Sequence, residues 1–208
     1  MTYLTAYQIY DLLNRPHPLW LVKIDFSDAT LWGADLSRSN LSLANLMRAD
    51  LSLSSLTGSN LSRANLQMAN LYEADLTLAI LEGANFARAN LTRANLSKAE
   101  MIETVFVEAN LSRAVLTKSR MVRANLNGAI LTRADLSKSD LTAANLNHAD
   151  LSLANLFDAD LSGADLHDAI LTKADLSGAN LKGANLTNVQ LAGVGLDGTI
   201  MPDGTKHD

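Results

Sequence analysis

A large apolar residue returns at every fifth position from Phe26 through Leu31, Leu36 and Leu41 to Leu196, without one skipped beat. All 35 of these positions hold Leu except Phe26, Phe86, Met101, Phe106 and Met121. A period of five is neither the 3.6 of a helix nor the 2 of a strand. Self-similarity this strict is the mark of a solenoid. A repeat array is one elongated unit whatever its length, so 208 residues do not by themselves argue for two domains.

Two residues before each large centre stands a small one, Ala in most repeats and Ser54, Ser59, Thr104, Ser119, Ser139, Val189 or Val194 in others. One large and one small inward position in every five suit a narrow tube, with the remaining three positions facing out. Asn or Asp usually precedes the centre, and these residues favour tight turns because their side chains bond nearby backbone. Unusual residues recur 20 apart: Phe86 and Phe106, Met101 and Met121, Ile102 and Val122, Glu100 and Arg120, Glu103 and Arg123. Twenty residues are four repeats, so the spacing predicts four walls per coil with residues 20 apart stacked at about 4.8 Å. Matched or oppositely charged stacked pairs contribute roughly 0.2–1 kcal/mol each. Nearly nine coils would make a rod of about 40 Å.

This pattern resembles the pentapeptide-repeat proteins over roughly residues 24–200. The resemblance implies an all-β solenoid, a right-handed quadrilateral β-helix with the large centre and the small residue inside. The plan of a helical N-terminal cap and the tail Ile200-Met-Pro-Asp-Gly204 is similar to cyanobacterial members of that family.

The expected organisation is a helical cap over 1–23, the β-helix over 24–200 and a terminal turn over 201–208. Thr5-Ala-Tyr-Gln8 reads as a capping box. Tyr7, Ile9, Tyr10, Leu12 and Leu13 give an amphipathic segment that Pro16 and Pro18 end, so a helix is expected over about 5–14. Trp20 and Trp32 are expected to pack beneath it. Pro202-Asp203-Gly204 should turn the chain and end the array.

The chain has no Cys, which excludes disulfides, thiolate metal sites and Cys nucleophiles. The N-terminal residues show no signal-peptide pattern, and no apolar run reaches the roughly 18 residues of a membrane span. A cytoplasmic protein is expected. The repeats carry no insertion between Phe26 and Leu196 and therefore no loop to hold an active site. No glycine-rich phosphate loop or nucleophile elbow is present. The sequence predicts no enzyme and no cofactor. His148, His167 and Asp168 form one weak metal-like grouping, and stacked Asp140 and Asp160 another; an exposed solvated contact is the simpler reading of each.

The outward residues carry the remaining information. Arg93, Arg113 and Arg133 fall on one wall, and Lys98, Lys118 and Lys138 take the equivalent place on the next. Net charge is −3 over residues 1–87, +5 over 88–138 and −7 over 139–208. Residues 100–123 break the pattern most, with Glu100, Val105, Val115 and Arg120 in place of Asn or Asp. Ile102, Val107 and Val122 stand outside nearby, with Glu103 and Arg123 as a charged rim. The sequence thus nominates a basic patch and an apolar patch for an unidentified protein partner. An acidic chain without interleaved aromatics argues against nucleic acid. The family resemblance also implies an alternative, a DNA-duplex mimic acting on a type II topoisomerase. A monomer and an end-to-end homodimer both remain open.

Overall fold

Helix α1 (Ala6–Leu13) begins at Thr5, whose hydroxyl accepts from the Gln8 amide while the Gln8 side chain accepts from the Thr5 amide. The reciprocal pair satisfies two of the donors that a helix start leaves free. The structure, a computed structural model, describes residues 5–16 and 18–208. Ile9 is buried on the coil end, with Leu12, Leu13 and Ile24 partly buried around it. The two tryptophans do not pack there: Trp20 is 81% exposed and Trp32 63%. Both occupy outward positions of the repeat, directly before and after an inward Leu, and the strict phase of the coil overrides their preference for burial.

Residues 19–200 wind as a right-handed quadrilateral β-helix. Its rungs are parallel bridges between residues 20 apart, unbroken from Trp20–Asn40 to Asn180–Ile200. The ladder thus starts within the segment expected to form the cap. Up to Leu181, each large centre donates its amide to a carbonyl of the next coil, as Leu91 does to Asn110 at 2.7 Å. Each then accepts from the small residue three places on, as Leu91 does from Ala94 at 3.0 Å. That second bond closes a β-turn at every corner, and its third residue has φ near +60° throughout: Arg93 +60°, Lys118 +57°, Arg123 +56°. Positive φ at this place alone is the signature of a type II turn, which favours Gly. Other residues meet a steric cost there of about 1–2 kcal/mol.

Leu and Ala of the middle coils are completely buried, and the Phe86 and Phe106 rings stack at 5.1 Å. Where Ser replaces Ala the hydroxyl finds a partner inside: Ser54 donates to the Leu51 carbonyl at 2.6 Å and Ser119 to that of Leu116 at 2.7 Å. Asn and Asp before the centre accept from the amide two residues on, as Asp25 does from Ser27 at 3.0 Å. Asn side chains also bridge coils, as Asn90 does to Asn70 at 2.9 Å.

We number the faces by their inward centres: first, Phe26 and Leu46 onward; second, Leu31 and Leu51; third, Leu36 and Leu56; fourth, Leu21 and Leu41. The tail folds over the top of the fourth face and part of the third, where Ile200 pairs antiparallel with Lys206.

Candidate interaction surface

Every charged residue at the third turn position stands at a corner, in a column running along the rod. Two columns pair opposite charges on neighbouring rungs of the rod. After the first face, Arg48 bonds Asp28 at 2.6 Å and Arg88 bonds Glu108 at 2.7 Å. After the fourth face, Arg123 bonds Glu103 at 2.7 Å, while on the face itself Arg120 lies 3.7 Å from Glu100 and 4.0 Å from Asp140. Sequence-predicted Glu100, Glu103, Arg120 and Arg123 are therefore paired with one another or with a neighbour.

The other two columns behave differently. After the second face run Arg93, Arg113 and Arg133; after the third run Lys98, Lys118 and Lys138. All six are exposed. Arg93 is held by Glu73 at 2.9 Å and the Tyr72 hydroxyl at 3.2 Å. That contact lowers the Glu73 carboxyl below its usual range and raises Arg93 above its own. Lys138 lies 6.0 Å over the Phe157 ring. Among the described residues Arg113, Arg133, Lys98 and Lys118 make no ion pair. The two cation ladders flank the third face, whose surface between them carries Val115, 37% exposed. Leu78, Leu153 and Phe157 are exposed at the ends of this strip.

The residues of the expected apolar patch are separated by the coil. Ile102 and Val122 stack on the fourth face, Val105 and Val107 lie on the first, and Val115 lies on the third. Only Val115 of these five is exposed; the others are partly covered by the coils above and below. No single apolar patch forms, because consecutive repeats turn a corner every five residues. The non-Asx residues there have another consequence. The amides of Ile102, Val107 and Val122 lack the side-chain acceptor found elsewhere and make no hydrogen bond among the described residues.

His148 and His167 both approach Asp168, at 3.6 and 3.1 Å. Asp140 and Asp160 are stacked neighbours, and Asp160 accepts from Asn180 at 3.1 Å. No group of three or more His, Asp or Glu side chains among the described residues is placed to hold a metal ion. Nor is any described helix long and apolar enough to cross a membrane.

Sequence reasoning missed the left-handed corner position, although the signal was present. Nine of the 11 glycines share that one phase of the repeat, Gly33, Gly58, Gly83 and Gly128 among them.

A family profile described as pentapeptide repeats matches in overlapping segments that run from residue 24 to residue 198. Among solved structures, the chain is similar to HetL, a pentapeptide repeat protein involved in heterocyst differentiation regulation, from the cyanobacterium Nostoc sp. strain PCC 7120. Identity is 34%, the match covers 99% of this chain and 100% of that one, and the TM-score is 0.57. It is also similar to QnrB1, a plasmid-mediated fluoroquinolone resistance protein, at 22% identity over 85% of this chain and 90% of that one, with a TM-score of 0.65. The second likeness is one of fold alone. No curated protein matches the sequence significantly.

Proposed function

The chain belongs to the pentapeptide-repeat family, and from that premise we propose that it is a non-enzymatic, regulatory protein-interaction module that takes an acidic partner on its third face. The observation that carries this reading is the contrast among the ladders. Stacked like charges repel by roughly 0.2–1 kcal/mol per pair, and Arg or Lys at a left-handed corner adds steric cost. A rod selected only for stability would place Gly or an opposite charge at these positions, as it does on other corners. Cations held at a stability cost are instead suited to an anionic partner, and Val115 between them supplies an apolar contact. A regulatory role draws support from the likeness to HetL, whose description places it in regulation. A duplex mimic would need to imitate a polyanion, and unpaired cations on the middle coils oppose that.

The test uses fluorescent poly-glutamate as the probe. Arg113→Glu with Lys118→Glu should weaken binding about tenfold or more at low salt. Exchanging the paired charges, Glu103→Arg with Arg123→Glu, should leave it unchanged. Equal loss in both variants would sink the assignment to the third face.

A further inference from the structure

The two ends of the rod are not finished alike. Helix α1 covers the first coil. At the far end the tail covers only one side: Leu181 donates to the Ile200 carbonyl at 2.7 Å, Gly183 to Pro202 at 2.9 Å and Gly198 to His207 at 2.9 Å. Over the first and second faces and the start of the third, no described residue lies on the last coil. The amides of Leu186, Asn188, Leu191, Gly193 and Leu196 donate no hydrogen bond among the described residues. Their counterparts one coil below, Leu166, Asp168, Leu171, Lys173 and Leu176, all do. The carbonyls of Ala184, Val189 and Val194 likewise accept none. The apolar interior is open there too. Leu191 is 42% exposed, and Leu186, Val189, Val194 and Leu196 are only partly buried, whereas Leu171 and Leu176 beneath are fully enclosed.

Natural sheet edges are usually protected by charge, Pro, a bulge or a covering element. Among the described residues this edge has no Pro and no covering element. From Ala184 to Ile200 the only charged residue is Asp197, and Ala192, Gly193 and Gly195 are small. A low-charge edge with small side chains suits close approach of another backbone.

We infer that the open C-terminal coil receives an extended segment of another protein, added as the next partial coil by strand augmentation. The edge itself specifies the chemistry of the segment. Five donors and three acceptors sit in the register that a further repeat meets at every lower coil, so the segment must be main chain in that register. Its inward residues must be apolar at positions five apart, with a small residue two before each, to close over Leu186 and Leu191. It must also turn the corner between faces, where Gly at the third turn position costs least but other residues are accepted, as Asp168 and Lys173 are in this chain. A second copy of the chain fits poorly. The tail stands one rung proud of half the end and obstructs rod-on-rod stacking. The open half offers fewer residues than the roughly 20–30 a side of a stable interface. A strand, by contrast, gains affinity chiefly through its main-chain bonds. This site is independent of the cation ladders, and either can fail without the other.

Hydrogen exchange of the full chain provides the test, with a synthetic peptide copying residues 164–178 as the probe. In the free protein the five edge amides should exchange freely, while those of Leu166 and Leu171 are protected. Saturating peptide should slow the five by about tenfold or more, and a scrambled peptide should not. Leu191→Asp, at an already exposed position, should abolish the effect while thermal unfolding stays unchanged. The inference is overturned if the five amides are already protected in the monomer, or if peptide at millimolar concentration leaves them unchanged. It is equally overturned if sedimentation shows a dimer whose formation protects them, for then a second copy is the occupant.

Discussion

The corner columns after the first and fourth faces and those after the second and third are built from one backbone position, with the same left-handed φ. They differ only in what stands on the neighbouring rung. On the first pair Asp28 meets Arg48, Arg88 meets Glu108 and Glu103 meets Arg123. On the second pair Arg93 meets Glu73, but above it Arg113 meets Arg133, and on the next corner Lys98 meets Lys118. The first arrangement spends its charge within the molecule. The second leaves charge available to something outside it. The basic middle of an otherwise acidic rod is therefore a property of two corners and the face between them, not of a whole band around the rod.

Both kinds of column rest on one core, so damage beneath them should not discriminate. Phe106→Ala removes one ring of the Phe86–Phe106 stack, 5.1 Å between centroids. It should cost about 3–5 kcal/mol in urea unfolding. Poly-glutamate binding by the remaining folded protein should be unchanged. A selective loss of binding would mean that the ladders and the core are not separable.

A smaller effect probes the columns of paired charges. Arg123→Ala breaks the 2.7 Å contact with Glu103, whose side chain is 57% exposed. Its effect on stability should be no more than about 1 kcal/mol, less at high salt. Poly-glutamate affinity should not fall. A fall comparable to that of the Arg113 and Lys118 variants would erase the distinction between the columns.

The smallest expected effect concerns the carboxylates that neighbouring hydroxyls hold low. Hydrogen bonds from the Ser27 hydroxyl and amide hold Asp25 below the ordinary range, and the Ser52 hydroxyl does the same for Asp50. Burial pushes Asp75 up, but bonds from Thr77 and Thr57 outweigh it and leave it lowered. A carboxyl lowered in the folded state contributes stability that is present above its unfolded value, about 4, and is lost as pH falls through the folded value. Acid unfolding should therefore begin below about pH 4 and register first in the amides of the early coils and of the C-terminal tail, where the Thr205 hydroxyl holds Asp203 low in the same way. Hydrogen exchange that opens the middle coils first would contradict this order.

The architecture was open to reading because Leu, Ala and Asn each occupy one phase of a five-residue period, and because Phe86–Phe106 and Glu103–Arg123 reveal a second period of 20. The cap was legible in Thr5 and Gln8. Trp20 and Trp32 misled because bulk suggests burial, whereas in a solenoid this narrow the phase of a residue decides its side. Ile102, Val105, Val107, Val115 and Val122 are close in sequence, but corners send them to three faces, so contiguity in the chain did not become contiguity on the surface. The open end was not readable from Val189, Val194 and Thr199 alone. Which half of it the tail covers depends on where Pro202 and Gly204 direct the last residues.

The most direct measurement of the central claim joins stability to binding in one variant, Arg113→Gly with Lys118→Gly. Glycine relieves the left-handed corners, at φ +59° and +57°, and removes two repelling charges. If the ladders are retained for a partner, unfolding free energy should rise by about 1 kcal/mol while poly-glutamate affinity falls. A variant that loses stability, or keeps its affinity, would contradict the claim that these cations are held for binding.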